Sequence, residues 1–158
     1  MAATDPQQPF AKLTFIFSFF FMTDRVYMVW DFYDGVRSGI ADYEGRPHYF
    51  ECPFDAEAQD FAETYDLYPI CDETLELAQE QWAIYRAWEL SFHSGKALHE
   101  SHPGHGGVDS RYDELESRIQ GSIKVQPMSA SASGTFTRKE DQPELPVGCI
   151  AELEVDWE

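Results

Sequence analysis

The sequence predicts an α+β fold, in which an antiparallel meander of about four to six strands packs on one long amphipathic helix and one or two shorter helices. Three patterns lead to this prediction. Residues 25–52 are rich in β-branched and aromatic residues around two turn dipeptides, residues 72–99 repeat apolar residues at helical spacing, and residues 149–158 alternate apolar with acidic residues. A sheet that is wet on one face and covered by helices on the other accommodates all three patterns.

The meander is predicted from three strand-like runs, at residues 25–33, 37–43 and 46–52. Asp34-Gly35 and Glu44-Gly45 separate the runs, and Asp-Gly in particular is a strong signal for a two-residue hairpin turn. Turns this short join neighbouring antiparallel strands. Pro47 has no N–H to donate, so we expect it at a strand start or a sheet edge.

Between Asp72 and His99 the apolar side chains recur at steps of three, four and seven residues, which indicates one face of an α-helix. This face consists of Leu75, Ala78, Trp82, Tyr85 and Phe92, with Trp88 beside it. Asp72 is expected to cap the helix start and Gly95 to end it. Because exposed aromatic side chains are unfavourable in water, we expect the stripe to pack against the side of the meander that carries Trp30 and Phe32.

The remaining chain predicts shorter elements. Residues 55–65 have the spacing of a short acidic helix, and residues 67–71 are extended. Asp109 or Ser110 is expected to cap a second helix. Residues 127–134, rich in small side chains, predict a flexible segment, and residues 135–137 a short strand. Residues 149–158 predict a strand with an apolar face and a wet face carrying Glu152, Glu154, Asp156 and Glu158.

The domain organisation predicted is a hydrophobic extension at residues 1–21 and a single acidic domain at residues 22–158. Residues 13–22 form the most hydrophobic run, which is too short to span a bilayer as a helix and lacks the basic flank and cleavage site of a signal peptide. It could be an upstream extension with Met22 as the natural start, an added strand, or a weak membrane or export signal. The extension is favoured because Met22 directly precedes the first strand.

The charge balance points to the class of partner. The chain has 11 basic and 29 acidic residues, a net charge of −18 with histidine neutral. Such a charge repels nucleic acid phosphates and anionic membrane surfaces, and it attracts basic proteins or cations. We therefore expect a basic protein partner, no direct nucleic acid binding and no stable membrane insertion; acidity that serves only solubility is the alternative.

Cysteine usage indicates a reducing compartment. Cys52, Cys71 and Cys149 are odd in number and widely spaced, which is no disulfide framework. We expect them to be small buried side chains in a cytoplasmic protein, with a Cys52–Cys71 bridge as the alternative.

One histidine-rich segment could hold a metal ion. Four of the five histidines lie between His93 and His105, and a loop lets several imidazoles converge on zinc or another divalent metal. The candidate ligands are His99, His102, His105 and Asp109. Their spacing matches no metalloprotease or zinc-finger signature, so a solvated loop that caps the central helix is the alternative, and the protein is then expected to have no cofactor.

A second candidate set would contact a partner protein. Tyrosine and arginine are enriched at interface hot spots, which singles out four residues on the meander, Arg37, Tyr43, Arg46 and Tyr49. The acidic strand adds Glu152, Glu154 and Asp156. The chain contains no nucleotide-binding or serine-nucleophile motif.

These features predict a small, acidic, non-catalytic binding domain for a basic protein, in an inhibitor, immunity-type or nucleic-acid-mimic role. One alternative is a metal-dependent hydrolase built on the histidine-rich loop at residues 93–109. Another is a structural accessory domain.

Overall fold

The computed structural model describes residues 22–158, so the predictions made for residues 1–21 lie outside the described residues. The described strands are β1 (Asp24–Phe32), β2 (Val36–Tyr43), β3 (Arg46–Glu51), β4 (Phe54–Asp55), β5 (Asp60–Phe61), β6 (Tyr65–Pro69), β7 (Ala130–Ala132), β8 (Gly134–Arg138) and β9 (Leu153–Trp157). The helices are α1 (Asp72–His93) and α2 (Ser110–Gln120), with a 3₁₀ turn at His99–Ser101. The α+β class is confirmed.

The predicted three-stranded meander is present. β1 pairs antiparallel with β2, and β2 with β3 in a register that joins Tyr43 to Arg46. Both turn dipeptides have positive φ at each residue, 49° and 119° at Asp34-Gly35 and 50° and 73° at Glu44-Gly45. Glu44-Gly45 is a two-residue turn between the paired Tyr43 and Arg46, and positive φ at both its positions suits the twist of adjacent strands. The β1–β2 turn has three residues, 33–35, between the paired Phe32 and Val36, and Asp and Gly there are residue types that tolerate positive φ.

The sheet has seven strands, more than the four to six predicted, and it is so strongly curled that its two edges meet. Its order is β7-β6-β3-β2-β1-β9-β8, and the two outermost strands are separated along the chain by Ser133 alone. Ser133 exchanges two backbone hydrogen bonds of 2.9 Å with Glu158. Residues 130–138 therefore form one bent strand that pairs with β6 in its first part and with β9 in its second.

The inside of the curled sheet is filled with side chains. Phe50, Leu67 and Val155 are fully buried there. Phe50, Tyr65, Phe136 and Trp157 form a cluster with ring centroids 5.3–5.9 Å apart. Leu153, Val155 and Trp157 all pack against this core, so the predicted inner face of the last strand is confirmed for these residues.

The helices cover the outside of the sheet, but they pack differently from the prediction. The buried residues of α1 are Thr74, Ala78, Gln81 and Glu89, of which only Ala78 belongs to the predicted stripe. Trp82 and Trp30 pack against the same buried cluster outside the sheet, whereas Trp88 stacks on Phe92 and contacts the histidine-rich loop. Phe32 is 65% exposed and contributes nothing to helix packing. The aromatic stripe is thus shared between the sheet and the loop.

Polar contacts join the two helices. Gln81 donates to Glu116, and Arg111 makes two 2.7 Å hydrogen bonds to Glu80. Between these contacts, Leu115 and Ile119 are fully buried against the outside of the sheet. The burial of Gln81 explains why an apolar periodicity alone misplaces the packed face of α1.

The helix boundaries follow local capping chemistry. Cys71, not Asp72, is the N-cap of α1, and Asp72 is its first helical residue. Gly95 follows the helix in the left-handed conformation, with φ of 73°. The Lys96 N–H then donates to the Ser91 carbonyl in the last turn. Asp109 caps α2 as predicted, because its carboxylate accepts the Tyr112 N–H at 2.9 Å.

Two segments differ from their predictions for identifiable reasons. Residues 55–65 are not helical, because the Asp55 carboxylate accepts the N–H groups of Glu57 and Ala58 and turns the chain into a β4–β5 ribbon. Residues 127–134 hold part of the closing strand instead of a flexible segment. A Cβ at Gly134 would lie 2.7 Å from the Trp157 ring, so the small residue permits a close approach there.

The last strand is shorter than predicted, because residues 149–151 leave the sheet for α1. The Ile150 N–H donates to the Glu89 carboxylate at 2.8 Å. Within the described residues no helix has the length and apolar character needed to cross a membrane.

Candidate functional site

One end of the sheet carries an aromatic surface, which we name the aromatic tip: the exposed Phe32, Tyr33 and Phe54, and the half-buried Phe61. Phe32, Tyr33 and Phe54 are 65%, 72% and 54% exposed. Phe61 joins the two parts of the tip, because its ring centroid lies 6.2 Å from that of Tyr33 and 5.2 Å from that of Phe54. The β1–β2 turn and the β4–β5 ribbon therefore present one surface.

Arg37 holds the aromatic tip together. It donates to the carbonyl oxygens of Tyr33 at 2.7 Å and Asp34 at 2.9 Å, and its guanidinium lies 4.0 Å from the Phe61 ring centroid. These contacts engage two of the five N–H donors of the guanidinium. Arg37 thus supports the conformation of the aromatic tip, and its role as a partner contact stays a prediction.

Acidic residues surround the aromatic tip. Residues 31–37 and 52–63 contain six carboxylates against the single cation Arg37. Asp55 and Asp60 stand directly opposite each other in the β4–β5 ribbon, and like charges in that position repel. The ribbon is two-stranded, and such a hairpin is marginal on its own. This region would therefore gain most from a positively charged neighbour.

The other meander residues predicted to bind a partner lie elsewhere. Tyr43 packs inside the curled sheet, with its ring edge toward His48 and Trp157. Tyr49 is buried on the outer, helix-covered side, where it donates to Glu51 at 2.9 Å. Burial, and then the Glu51 hydrogen bond, raise the pKa of Tyr49. Arg46 is exposed at the β2–β3 turn.

The predicted acidic strand forms a separate surface. Glu154 accepts the Thr23 hydroxyl at 2.6 Å, and Glu152 lies 3.8 Å from the Lys139 ammonium. Burial, with the negative charges of Asp42 and Asp156, raises the pKa of the neighbouring Asp24 carboxyl. β9 pairs with Asp24 and Arg25 at the start of β1, whereas the aromatic tip begins at Phe32, the last residue of β1. From Asp24 to Phe32 the strand advances eight residues at about 3.3 Å each, so the acidic surface on β9 and the aromatic tip lie roughly 26 Å apart.

The histidines predicted as metal ligands do come together. The ring centroid of His105 lies 5.1 Å from those of both His99 and His102. His102 packs edge-on against Trp88, with ring centroids 4.3 Å apart, and so covers the aromatic stripe of α1. Burial, then the charges of His105 and His99, lower the pKa of His102.

Their surroundings favour a packing role for these histidines. His102 Nδ1 accepts the Gly104 N–H at 2.9 Å, which occupies one of its two ring nitrogens. Asp109, the fourth predicted ligand, uses one carboxylate oxygen to accept the Tyr112 N–H at the start of α2. The loop itself is anchored where the Trp88 Nε1 donates to Ser101 at 3.1 Å.

A different cluster gathers potential metal ligands most closely. One donor atom from each of Glu89, His93 and Cys149 lies within 4.8 Å of the other two, and no other such group occurs within residues 22–158. Glu89 and His93 come from the last turns of α1, and Cys149 comes from the loop before β9. The sequence contains a usable signal for this pair, since residues four apart share a helix face. Sequence reasoning missed it because the third member comes from a distant segment.

The electrostatics of this cluster do not favour a nucleophilic thiol. Glu89 is 1% exposed and pairs with Arg86. Burial and the Glu89 charge raise the pKa of Cys149, although Arg86 opposes this, so the thiol is protonated at neutral pH. Within the described part of the chain His93 makes no side-chain hydrogen bond that would let it act as a base toward Cys149. Burial and Glu89 also raise the pKa of Tyr85 to about 12.

A cleft of about 680 Å³ lies beside this cluster, between α1 and the first residues of β1 and β9. Arg25, Arg86 and Lys139 line it together with Glu152 and Glu154. Three cations thus line the cleft with two carboxylates, and two of the cations, Arg86 and Lys139, already pair with carboxylates. The cleft therefore has little free charge with which to select a small ligand.

The chain matches no protein-family model, no curated protein and no solved structure in the three comparisons made.

Proposed function

We propose that this protein is a non-catalytic binding domain whose aromatic tip recognises a lysine- and arginine-rich segment of a partner protein. The observation that supports this most strongly is the combination, at one end of the sheet, of exposed aromatic rings with six carboxylates and one arginine. Protein interfaces commonly have an aromatic centre and a polar rim.

The charge of the rim selects the partner. A basic segment would relieve the repulsion between Asp55 and Asp60 and would be attracted by the net charge of −18. Its aliphatic side-chain stems could cover the rings while its charged ends reach the carboxylates. The acidic surface on β9 would contribute long-range attraction, because Glu152 and Glu154 have local partners there and, among residues 22–158, the exposed aromatic side chains lie at the aromatic tip.

The opposed aspartates also distinguish this role from simple solubility. Acidity that serves only solubility needs no particular arrangement, whereas Asp55 and Asp60 are fixed by the ribbon register at a local energetic cost. Each carboxylate also accepts backbone N–H groups of the ribbon, and a basic segment bound here would relieve the remaining repulsion, which supports a binding role for this surface.

The proposal is tested by calorimetric titration of the full chain with a synthetic peptide rich in lysine and arginine and containing a few leucines. The matched control peptide carries glutamate in place of each basic residue. We expect binding of the basic peptide only, and an affinity that falls as salt is added. Tyr33→Ser should weaken this binding by about tenfold or more, as expected for an interface residue contributing about 1.4 kcal/mol.

Two control variants separate the tip from general surface effects. Val125 is a 75% exposed apolar residue elsewhere, so Val125→Ser should leave the affinity unchanged. Asp60→Asn should weaken binding, whereas the same change at Asp141, outside the tip, should weaken it much less. Equal losses in the tip variants and in their controls would contradict the proposal.

A further inference from the structure

We propose that Glu89, His93 and Cys149 form a binding site for a divalent transition-metal ion, with zinc the ion that best suits their oxygen, nitrogen and sulfur donors. The site is independent of the aromatic tip and differs from the set predicted in the histidine-rich loop. Carboxylate, imidazole and thiolate are the three side-chain groups that bind zinc in proteins.

The helix supplies two of the donors from a fixed position. Glu89 and His93 lie four residues apart near the end of α1, so their side chains project from the same face. The same spacing places paired ligands in helical zinc sites. Glu89 is buried and His93 is exposed, so the pair spans the boundary between the interior and solvent.

The loop before β9 is built to bring the third donor to this face. Gly148 has φ of 99°, and a Cβ on it would lie 2.5 Å from His93 Cε1. Glycine suits this backbone conformation, which other residues rarely adopt, and it lets the loop lie against the imidazole as the ring is placed here. The Cys149 N–H closes a turn onto the Pro146 carbonyl at 3.1 Å, and the next residue donates to Glu89.

The donors are near enough for side-chain rotation to close a metal site. Two donors bound about 2.0–2.3 Å from one tetrahedral zinc ion lie roughly 3.3–3.8 Å apart. The three donors here lie within 4.8 Å of one another, and rotation of the exposed His93 ring would bring them to the closer spacing when an ion binds. Three protein ligands leave one position of a tetrahedral ion for water or another ligand.

The surrounding groups orient the carboxylate ligand. One Glu89 oxygen accepts the Ile150 N–H at 2.8 Å, and the other pairs with Arg86. Hydrogen bonds of this kind to a ligating carboxylate are a regular feature of protein metal sites. Each carboxylate oxygen retains a further lone pair for the metal ion.

Metal binding would include one proton transfer. The thiolate is the form of cysteine that binds metals, so the ion displaces the Cys149 proton to solvent as the sulfur–metal bond forms. No oxidation or reduction accompanies this step. Affinity should consequently fall as the pH is lowered.

The test is titration of the full, tag-free chain with cobalt(II) alone, used as a spectroscopic substitute for zinc. We expect binding of one ion per chain, with an absorption band for sulfur-to-cobalt charge transfer that zinc abolishes by competition. Cys149→Ser should remove the band, and His93→Gln, a change at an exposed residue that should leave folding intact, should weaken binding strongly.

Two variants serve as matched controls. Cys71 is a second free cysteine, and Cys71→Ser should retain the band. His102→Gln changes a histidine outside the site and should also leave cobalt binding unchanged. A missing charge-transfer band, binding that survives both site variants, or binding that is lost in His102→Gln would overturn the proposal.

Discussion

At the residue scale, Gly134 is the position on which closure of the curled sheet depends. It pairs with Trp157 in the strand that joins the two edges, and a Cβ would lie 2.7 Å from that ring and 3.3 Å from Phe136. We expect Gly134→Ala to lower the free energy of unfolding by about 1–3 kcal/mol, because overpacking forces these rings to move. Urea denaturation measures this.

The control for this prediction is Gly106→Ala. A Cβ at Gly106 meets no atom within 4 Å, and its φ is not in the left-handed region. The substitution should leave stability almost unchanged. Equal losses in both variants would show that the close approach at Trp157 has no energetic consequence.

Also at this scale, Arg86 and Glu89 form a buried ion pair, in which the two side chains are 19% and 1% exposed. Arg86→Met leaves the carboxylate without its cation and should destabilise the protein by about 3–5 kcal/mol. Arg111→Met breaks an exposed pair with Glu80, where water screens the charges, and should cost far less. Thermal unfolding of the two variants compares the pairs; similar losses would contradict the burial argument.

At the scale of the element, the histidine-rich loop makes stability depend on pH. Its packing on α1 lowers the pKa of His102 from about 6.5, so the unfolded chain takes up a proton at this residue more readily than the folded chain. The stabilising contribution is present above pH 6.5 and is lost as the pH falls through the lowered pKa. Denaturation at several pH values should therefore show weakening below pH 6.5.

The contribution of His102 is isolated by comparison with a variant. Carboxylates also titrate at lower pH, so the informative quantity is the difference between the wild-type protein and His102→Gln. The variant should lose less stability than the wild type between pH 7.5 and pH 5.5. Parallel pH profiles would show that the loop does not oppose protonation of this imidazole.

Elements were predictable where local chemistry determines them. The turns at Asp34-Gly35 and Glu44-Gly45 were predicted, as was a helix cap at Asp109 or Ser110, because turn glycines and capping side-chain oxygens are local signals. The ribbon at residues 55–61 was missed, because the Asp55 carboxylate competes with helix formation through hydrogen bonds that apolar spacing does not reveal.

At the scale of the whole molecule, long-range contacts explain what the sequence did not show. Closure of the sheet pairs Ser133 with Glu158, and the potential metal site brings Cys149 to Glu89 and His93 on α1. Neither has a short-range signal, because the partners are separated by many residues along the chain. The strand count, the packed face of α1 and the Glu89 cluster all depend on such contacts, whereas the acidic character and the α+β class follow from composition and periodicity.

The central claim is that a basic partner binds at the aromatic tip. The most direct test is a map of backbone amide chemical shifts, recorded by NMR as the full chain is titrated with the basic peptide. The account predicts that the saturating shifts lie in residues 31–37 and 54–61. Shifts centred on residues 152–156, or spread evenly over all acidic surfaces, would contradict it.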